Sequence, residues 1–356
     1  MEDLQLLQAE LRRREDIIRS LTKQVRGSMA EGALFQELAE VVECQPPITK
    51  FVTKLPTVSA VGKTCEAVGM LLSDLHGDEE VTPEKVMGYE DFNFDEFCRR
   101  AQRLVDVTTS FCFENMSNYS FDELHIFGLG DYVSGEIHDS TDHSKWHNAL
   151  KNAMGVGDVI ALMINDLSRK FKKIHLYSVS GNHGRRTIRK DYRGAHDNWD
   201  YLVAKWVEAR CSNLISAQRL VVEIPDSFSH LVTIKGHTFF LNHGDDMMSL
   251  LGTPYYAIDR STRNIQSIAN IKNQKIDYFL FGHWHKAAMS QITTGEWIVN
   301  GSFKATDSYL LHSKGGYAEP KQKIFGIHQH YGKSWEIAVA LRGYGKNVPQ
   351  RYRVII

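Results

Sequence analysis

Five short polar clusters carry the residues whose types could do chemistry: Ser73-Asp74-Leu75-His76, Gly130-Asp131-Tyr132, Gly181-Asn182-His183-Gly184, Asn242-His243-Gly244-Asp245 and Gly282-His283-Trp284-His285. Each offers oxygen or imidazole donors, and each has a glycine in or beside it that lets the backbone turn sharply. Taken alone, an Asp-x-His pair is more often a turn with a surface histidine, and His243 alone is more often a satisfied, half-buried imidazole. Five such clusters in order, each following an apolar run, read instead as one ligand field. Imidazole mixed with carboxylate suits Mn, Fe and Zn better than the all-oxygen shell preferred by Mg or Ca. The chain supplies 16 histidines in 356 residues, about 4.5%.

The elements that must position these clusters are legible in outline. Ala67 to Leu72, Leu124 to Leu129, Ile174 to Val179, Thr238 to Leu241, Tyr278 to Phe281 and Trp297 to Val299 read as buried strands, and all but the last run into a polar cluster. Helical patterns are expected over Phe94 to Cys112, Trp146 to Phe171 with a break at the Gly155 to Gly157 pair, and Trp199 to Arg210. Strands alternating with helices indicate an α/β layered fold, whose sites lie at strand C-terminal ends. Beyond Lys304, Lys323 to His328 and Ser334 to Ala340 should add antiparallel strands to one sheet.

The series Asp74-x-His76, Gly130-Asp131, Gly181-Asn182-His183, His243 and Gly282-His283-x-His285 resembles the motif series of the calcineurin-like metallophosphoesterase superfamily, from about residue 68 to 302. That resemblance implies a four-layer α/β/β/α sandwich holding two divalent metal ions, with Mn2+ the expected metal and Fe, Zn or Mg as alternatives. Carried over by position, it implies that Asp74, His76 and His285 hold the first ion, Asn182, His243 and His283 the second, and that Asp131 bridges both. Two dications about 3.5–4 Å apart repel, so a shared carboxylate and a bridging hydroxide are needed to hold them together. The hydroxide would attack phosphorus in line. The resemblance gives His183 the protonation of the leaving group, with catalytic roles for His183 and Asp131. A carboxylate is expected to support His183, and Asp74 is the partner the resemblance suggests.

Departures from the family pattern bear on subtype. The protein-phosphatase branch reads Gly-Asp-x-Val-Asp-Arg-Gly and Gly-Asn-His-Glu, whereas this chain has Ser134-Gly135-Glu136 after Val133 and Gly184 after His183. A phosphate-gripping arginine and an acid are therefore missing, which argues against a Ser/Thr phosphatase. From Arg169 to Arg193 the chain has nine Lys or Arg residues and one acid, Asp191. Arg169 to Lys173 reads as a solvated helix end, but Arg185, Arg186 and Arg189 follow His183 and would line the cleft, where guanidinium forks suit phosphate oxygens. His138 and His196 are further substrate-contact candidates, and Tyr192, His196, Trp199, Tyr255 and Tyr256 could stack on bases, with helix core the alternative for Trp199. The leading expectation is a phosphodiester hydrolase acting on DNA or RNA. The alternatives are a phosphomonoesterase for a nucleotide or small metabolite, and a non-catalytic scaffold of the same fold.

Composition sets the outer limits. With 42% hydrophobic and 24% charged residues the chain can form a substantial core, and 42 Lys and Arg against 43 Asp and Glu leave a net charge of −1. No global field draws it to nucleic acid or an anionic membrane, so such binding needs a local patch. Gly62-Lys63-Thr64 lacks the earlier glycine of a nucleotide-binding loop, because position 57 is Thr57. The five cysteines are dispersed, without a Cys-x-x-Cys pair, which reads as reduced thiols. No apolar run approaches the roughly 20 residues of a membrane span, and the expectation is a cytoplasmic protein without membrane association. Residues 3 to 26 place Leu4, Leu11, Ile18 and Val25 seven apart, with Leu7 and Leu21 between and Arg14 interrupting. The expected organisation is a coiled-coil-like helix over 1–27, a linker with a short helix over 28–47 and a catalytic domain over 48–356. The 3–26 helix either docks on its own domain or joins copies into a homo-oligomer.

Overall fold

A computed structural model of the chain describes residues 62–137, 144–187, 189–192, 194–247, 254–343 and 348–354. These lie within one compact unit, Lys50–Val354. The heptad helix, the 28–47 linker, His138 and Arg193 lie outside the described residues. Eleven strands are described: β1 (Thr64–Leu72), β2 (Tyr119–Gly128), β3 (Lys173–Ser178), β4 (Leu220–Glu223), β5 (Ser229–Ile234), β6 (His237–Asn242), β7 (Tyr278–Phe281), β8 (Ala288–Ile292), β9 (Gly295–Val299), β10 (Lys321–His328) and β11 (Gly332–Ala340). The α-helices are α1 (Phe94–Ser110), α2 (Ala149–Ser168), α3 (Trp199–Arg210), α4 (Ser212–Ser216), α5 (Tyr255–Asn270) and α6 (Ser308–Lys314).

The strands form two sheets. One has the order β11-β10-β1-β2-β3-β4 and the other β5-β6-β7-β9-β8. In the first, β1 to β4 run parallel and β10 pairs antiparallel with β1; in the second, β6, β7 and β9 run parallel between antiparallel edges. The central strands are apolar on both faces, as expected when both are covered. Phe127, Tyr177, Phe239, Leu241, Leu280, Ile298 and Phe325 meet between the sheets. On the opposite face of the second sheet, Phe240, Phe279, Phe281 and Trp297 pack against Ala257, Ile258 and Ala269 of α5. Helix α2 packs against β3 of the first sheet, and α1 and α3 pack against α2. The result is the α/β/β/α sandwich expected from the sequence, and β10 and β11 do join one sheet.

Several expectations need correction. No break occurs at Gly155–Gly157, because α2 runs unbroken from Ala149 to Ser168. Gly157 serves a close helix crossing: a Cβ there would sit 2.8 Å from Trp206 Cδ1 on α3. The helix starts at Ala149 rather than Trp146, since the Asn148 side chain caps it by accepting from the Lys151 N–H. Strands β4, β5 and β8 and helix α5 were not anticipated. The strands are short and partly exposed, so they lack a continuous apolar run.

Buried charge also shapes the site's floor. Arg100 on α1 pairs with Glu90 (2.9 Å) and Glu96 (2.8 Å), and its guanidinium donates to the Phe303 carbonyl. Glu90 in turn accepts the Ala305 N–H. This anchors the segment after β9, whose Phe303 N–H donates to the Asp74 carbonyl (3.0 Å). Among the described residues no helix is long and apolar enough to cross a membrane, and the four described cysteines are free thiols.

The α2–α3 crossing gives a direct test. Gly157→Ala should lower unfolding free energy by a net ~0.5–2 kcal/mol, the about 1–3 kcal/mol cost of overpacking exceeding the roughly 0.5–1 kcal/mol gain in helix propensity. Urea denaturation would measure it, and equal or greater stability would contradict the close contact with Trp206.

Candidate metal centre

The parallel strands of both sheets end at one rim, so the loops after β1, β2, β3, β6 and β7 converge. Backbone bonds lock the first two together: Asp74 N–H donates to Gly130 O, Leu75 and His76 N–H to Asp131 O, and Gly77 N–H to Tyr132 O. Gly282 N–H donates to His243 O (2.9 Å) across the second sheet. The second and third loops touch so closely that side chains are excluded. A Cβ on Gly130, which has φ +85°, would lie 2.3 Å from Gly181 N, and one on Gly181 would lie 2.2 Å from Asp131 Oδ1.

Asp74, His76, Asp131, His283 and His285 all have positive φ, between +42° and +69°. Such backbone costs non-glycine residues about 1–3 kcal/mol each, and it concentrates at functional sites. Asp and His are among the side chains that tolerate it best.

The structure brings all seven sequence-expected ligands together. Asp74, His76 and His285 form one potential ligand group; Asp131, His243 and His283 form another. In the first, His76 Nε2 and His285 Nε2 are 3.4 Å apart, and His285 Nε2 lies 3.5 Å from Asp74 Oδ1. Two imidazole nitrogens each about 2.0–2.1 Å from a tetrahedral ion are separated by about 3.4 Å. In the second group, His243 Nδ1 is 2.7 Å from the Leu129 carbonyl oxygen and must donate to it. Its Nε2 therefore presents a lone pair when the ring is neutral, 3.1 Å from Asn182 Oδ1 and 2.9 Å from Asp131 Oδ2. In that state Asp131 Oδ2 is buried without a hydrogen-bond donor. Three electron-rich atoms thus face one point, an arrangement that fits a cation.

The electrostatics agree. Burial, with the positive field of Lys304 second, drives His76 well below its ordinary value, and burial beside His243 pushes His283 down to about 4. Both rings are neutral near pH 7, the state in which imidazole binds metal. Burial works against charge on Asp131, yet His243, His183 and His76 hold its carboxyl well below the usual range. Burial also opposes charge on His243, but the Asp131 carboxylate raises it to about 10. Without an ion, a proton on Nε2 supplies the positive charge that the pocket demands.

A supporting layer holds the ligands. His76 Nδ1 lies 3.1 Å from Ser134 Oγ, which donates to Glu79 Oε2 (2.8 Å); buried Lys304 joins Glu79 (2.6 Å) to Asp307 (2.8 Å). Asp78 accepts the Ser134 N–H (2.8 Å), and burial raises its carboxyl to about 7. Behind Asp74, Ser73 Oγ donates to Oδ2 (2.6 Å), while buried Gln322 exchanges bonds with the Ser73 N–H and C=O. Asp200 accepts from Asp131 N (2.8 Å), Gly181 N (2.8 Å) and Tyr132 N (2.9 Å), and burial followed by the Asp131 charge raises it to about 7. The sequence reading missed Asp200, Gln322, Glu79 and Lys304. Only the helix-start pattern Asn198-Trp199-Asp200 offered a local clue.

His183 stands edge-on to His76 with centroids 4.7 Å apart, and its N–H donates to Asp131 Oδ1 (2.7 Å). Its Nδ1 meets the Ser134 carbonyl (3.3 Å) rather than the expected Asp74, whose carboxylate accepts the His283 N–H instead. Around the rim, Arg186 pairs with Asp197 (3.0 Å), and Lys190 is held by Asp245 (2.9 Å) and Asp246 (2.8 Å). Arg185 has a buried Nε without a partner, and Arg189 is exposed. His196 stacks on Tyr201 at 4.1 Å, with its Nδ1 3.7 Å from Asp226. Tyr192 and Tyr256 are exposed, while Tyr255 stacks on Trp297 at 5.8 Å.

No protein-family model matches the chain, and no curated protein matches it. Among solved structures, an archaeal phosphodiesterase aligns at 13% identity over 76% of this chain and 99% of its own, with a TM-score of 0.35. Vacuolar protein sorting 29 from Cryptosporidium parvum aligns at 11% over 74% and 86%, with a TM-score of 0.33. A predicted phosphoesterase from Streptococcus pneumoniae aligns at 10% over 77% and 98%, with a TM-score of 0.30. Likeness at this level does not bear on activity.

The His243 environment predicts proton-coupled metal binding. Its pKa near 10 leaves it protonated at pH 7, so an ion binding at Nε2 must displace about one proton. Affinity for that ion should rise about tenfold per pH unit between pH 6 and 8. Titrating metal-free protein with Mn2+ in buffers of different ionisation enthalpy tests this. Binding without pH dependence or proton release would contradict the lone-pair assignment.

Proposed function

We propose that this protein is a binuclear metal-dependent phosphodiesterase, with nucleic acid as its favoured substrate class. The observation that carries the reading is the convergence of Asp131 Oδ2, His243 Nε2 and Asn182 Oδ1 beside the Asp74, His76 and His285 group. Asp74, His76 and His285 would hold one ion, Asn182, His243 and His283 a second, and Asp131 would be shared. Bound divalent ions acidify water and neutralise phosphoryl oxygens, which is the chemistry phosphoester cleavage needs.

The chain's own residues supply the remainder. With His183 Nδ1 facing the Ser134 carbonyl, its Nε2 is the nitrogen that can give a proton to a departing alkoxide. The His183 backbone N–H, donated to Asp131 Oδ1, ties the main chain at this residue to the shared carboxylate. Arg185 and Arg189 are the rim arginines best suited to phosphate oxygens, because Arg186 and Lys190 are already in ion pairs. That same pairing favours a second reading, a phosphomonoesterase for a nucleotide or small metabolite, since it leaves fewer cations for a long polyanion.

The discriminating experiment compares bis-p-nitrophenyl phosphate, p-nitrophenyl phosphate and labelled single- and double-stranded DNA, using Mn2+-loaded protein. Hydrolysis of the diester and DNA, lost in Asp131→Asn, is expected; activity on the monoester alone would establish the second reading, and no activity would leave only a scaffold. His183→Ala should keep its metals yet lose about 10²–10⁴-fold in rate, most for poor leaving groups. Equal losses for good and poor leaving groups would remove the acid role.

A further inference from the structure

We propose that Asp200, which joins the β2 and β3 loops through its buried carboxylate, is a positioning residue that sets the spacing between the two ion sites. The inference rests on the binuclear reading above. Asp131 and Asn182 stand on loops that leave neighbouring strands, and the β2–β3 pairing ends at Gly128 and Ser178 with one further bond, Val179 N–H to Gly128 O. Past that point, Asp200 provides a common acceptor: Oδ2 receives both Asp131 N–H and Gly181 N–H at 2.8 Å. Its Oδ1 receives the Tyr132 N–H at 2.9 Å. A displacement of either loop would stretch a hydrogen bond to that oxygen and leave a buried N–H unpaired.

Asp200 is itself fixed. It lies in the first turn of α3, with its N–H donated to Asn198 Oδ1 (2.8 Å), and Asn198 Nδ2 donates to the Gly181 carbonyl (2.9 Å). Helix α3 is seated on α2 through Trp206 and Arg210, both of which donate to Asp158. The side chain is wholly buried. Burying a carboxylate against backbone N–H groups is a costly way to start a helix, because an exposed cap would do as well. The placement becomes intelligible if the carboxylate holds the loop of a bridging ligand at one distance from the loop of a terminal ligand. Outer residues that orient metal ligands typically change affinity by about 10–100-fold when replaced.

The test compares wild type with Asp200→Asn, Asn198→Ala and Asp158→Asn. Asp200→Asn keeps an oxygen for two of the three bonds but turns an amide N–H towards the third donor. Asn198→Ala leaves the carboxylate and removes its anchor, so it serves if Asp200→Asn does not fold. Asp158→Asn loosens the same helix from α2 without touching the loops. Melting temperature, Mn2+ titration of metal-free protein, electron paramagnetic resonance of the Mn2+-loaded protein and kcat and KM for bis-p-nitrophenyl phosphate are measured on each. The expected result is about 10–100-fold weaker binding of one of two Mn2+ ions in Asp200→Asn, with an altered spin-coupled signal and reduced kcat at similar KM. A smaller change in the same direction is expected for Asn198→Ala. Asp158→Asn should lower melting temperature while keeping both ions and the wild-type signal. If Asp200→Asn or Asn198→Ala loses stability but binds two coupled ions as wild type does, the positioning role is overturned. Should wild type itself fail to bind two coupled ions, the binuclear reading fails and this role falls with it.

Discussion

A buried carboxylate oxygen facing lone pairs is the constraint on which the rest of the site depends. With the His243 ring neutral, Asp131 Oδ2 has no hydrogen-bond donor, and His243 Nε2 and Asn182 Oδ1 are close to one another beside it. Such a cluster repels itself unless a positive charge sits among its members. Everything around it prevents relaxation. The Leu129 carbonyl fixes the His243 ring, Asp200 and the Ser134 segment hold the neighbouring loops, and two glycines bring those loops into contact. Left-handed backbone at five ligand positions adds to the cost of the arrangement. The sandwich is therefore a frame that keeps unfavourable neighbours together in an arrangement that fits a cation.

Much of this was legible in the sequence because one local requirement coincides with one chemical requirement. A strand ending in a tight turn asks for Gly, Asp, Asn or His, and a metal site asks for Asp, Asn or His. The clusters at Asp74, Asp131, Asn182, His243 and His283 satisfy both, so the apolar runs before them and the donors within them were visible together. The order in which β1, β2 and β3 pair, by contrast, comes from the structure alone.

What was hidden depends on partners distant in sequence. Gln322 reaches Ser73, Lys304 reaches Glu79, and Asp200 reaches backbone groups of Asp131 and Tyr132. None of these contacts leaves a periodicity to read. Part of the charge in the basic stretch after His183 is offset in a way the local sequence does not show: Asp245 and Asp246, which neutralise Lys190, lie more than fifty positions away. Gly155 and Gly157 looked like a helix break because glycine weakens a helix locally, whereas tertiary packing against Trp206 makes its small size useful.

The placement of β10 has a consequence for how the protein is made. Strand β1 carries Asp74 and His76 at its end, but one of its two sheet neighbours, β10, is 249 residues later by the Ser73–Gln322 separation. At about 5–20 residues per second of translation, the ribosome needs about 12–50 s to deliver Gln322 after Ser73 has been made. For that interval the first ligands exist on a nascent chain whose central sheet cannot close. A chain truncated between residues 286 and 320 would therefore carry all seven candidate ligands without the strand that flanks β1 and braces the loop of Asp74.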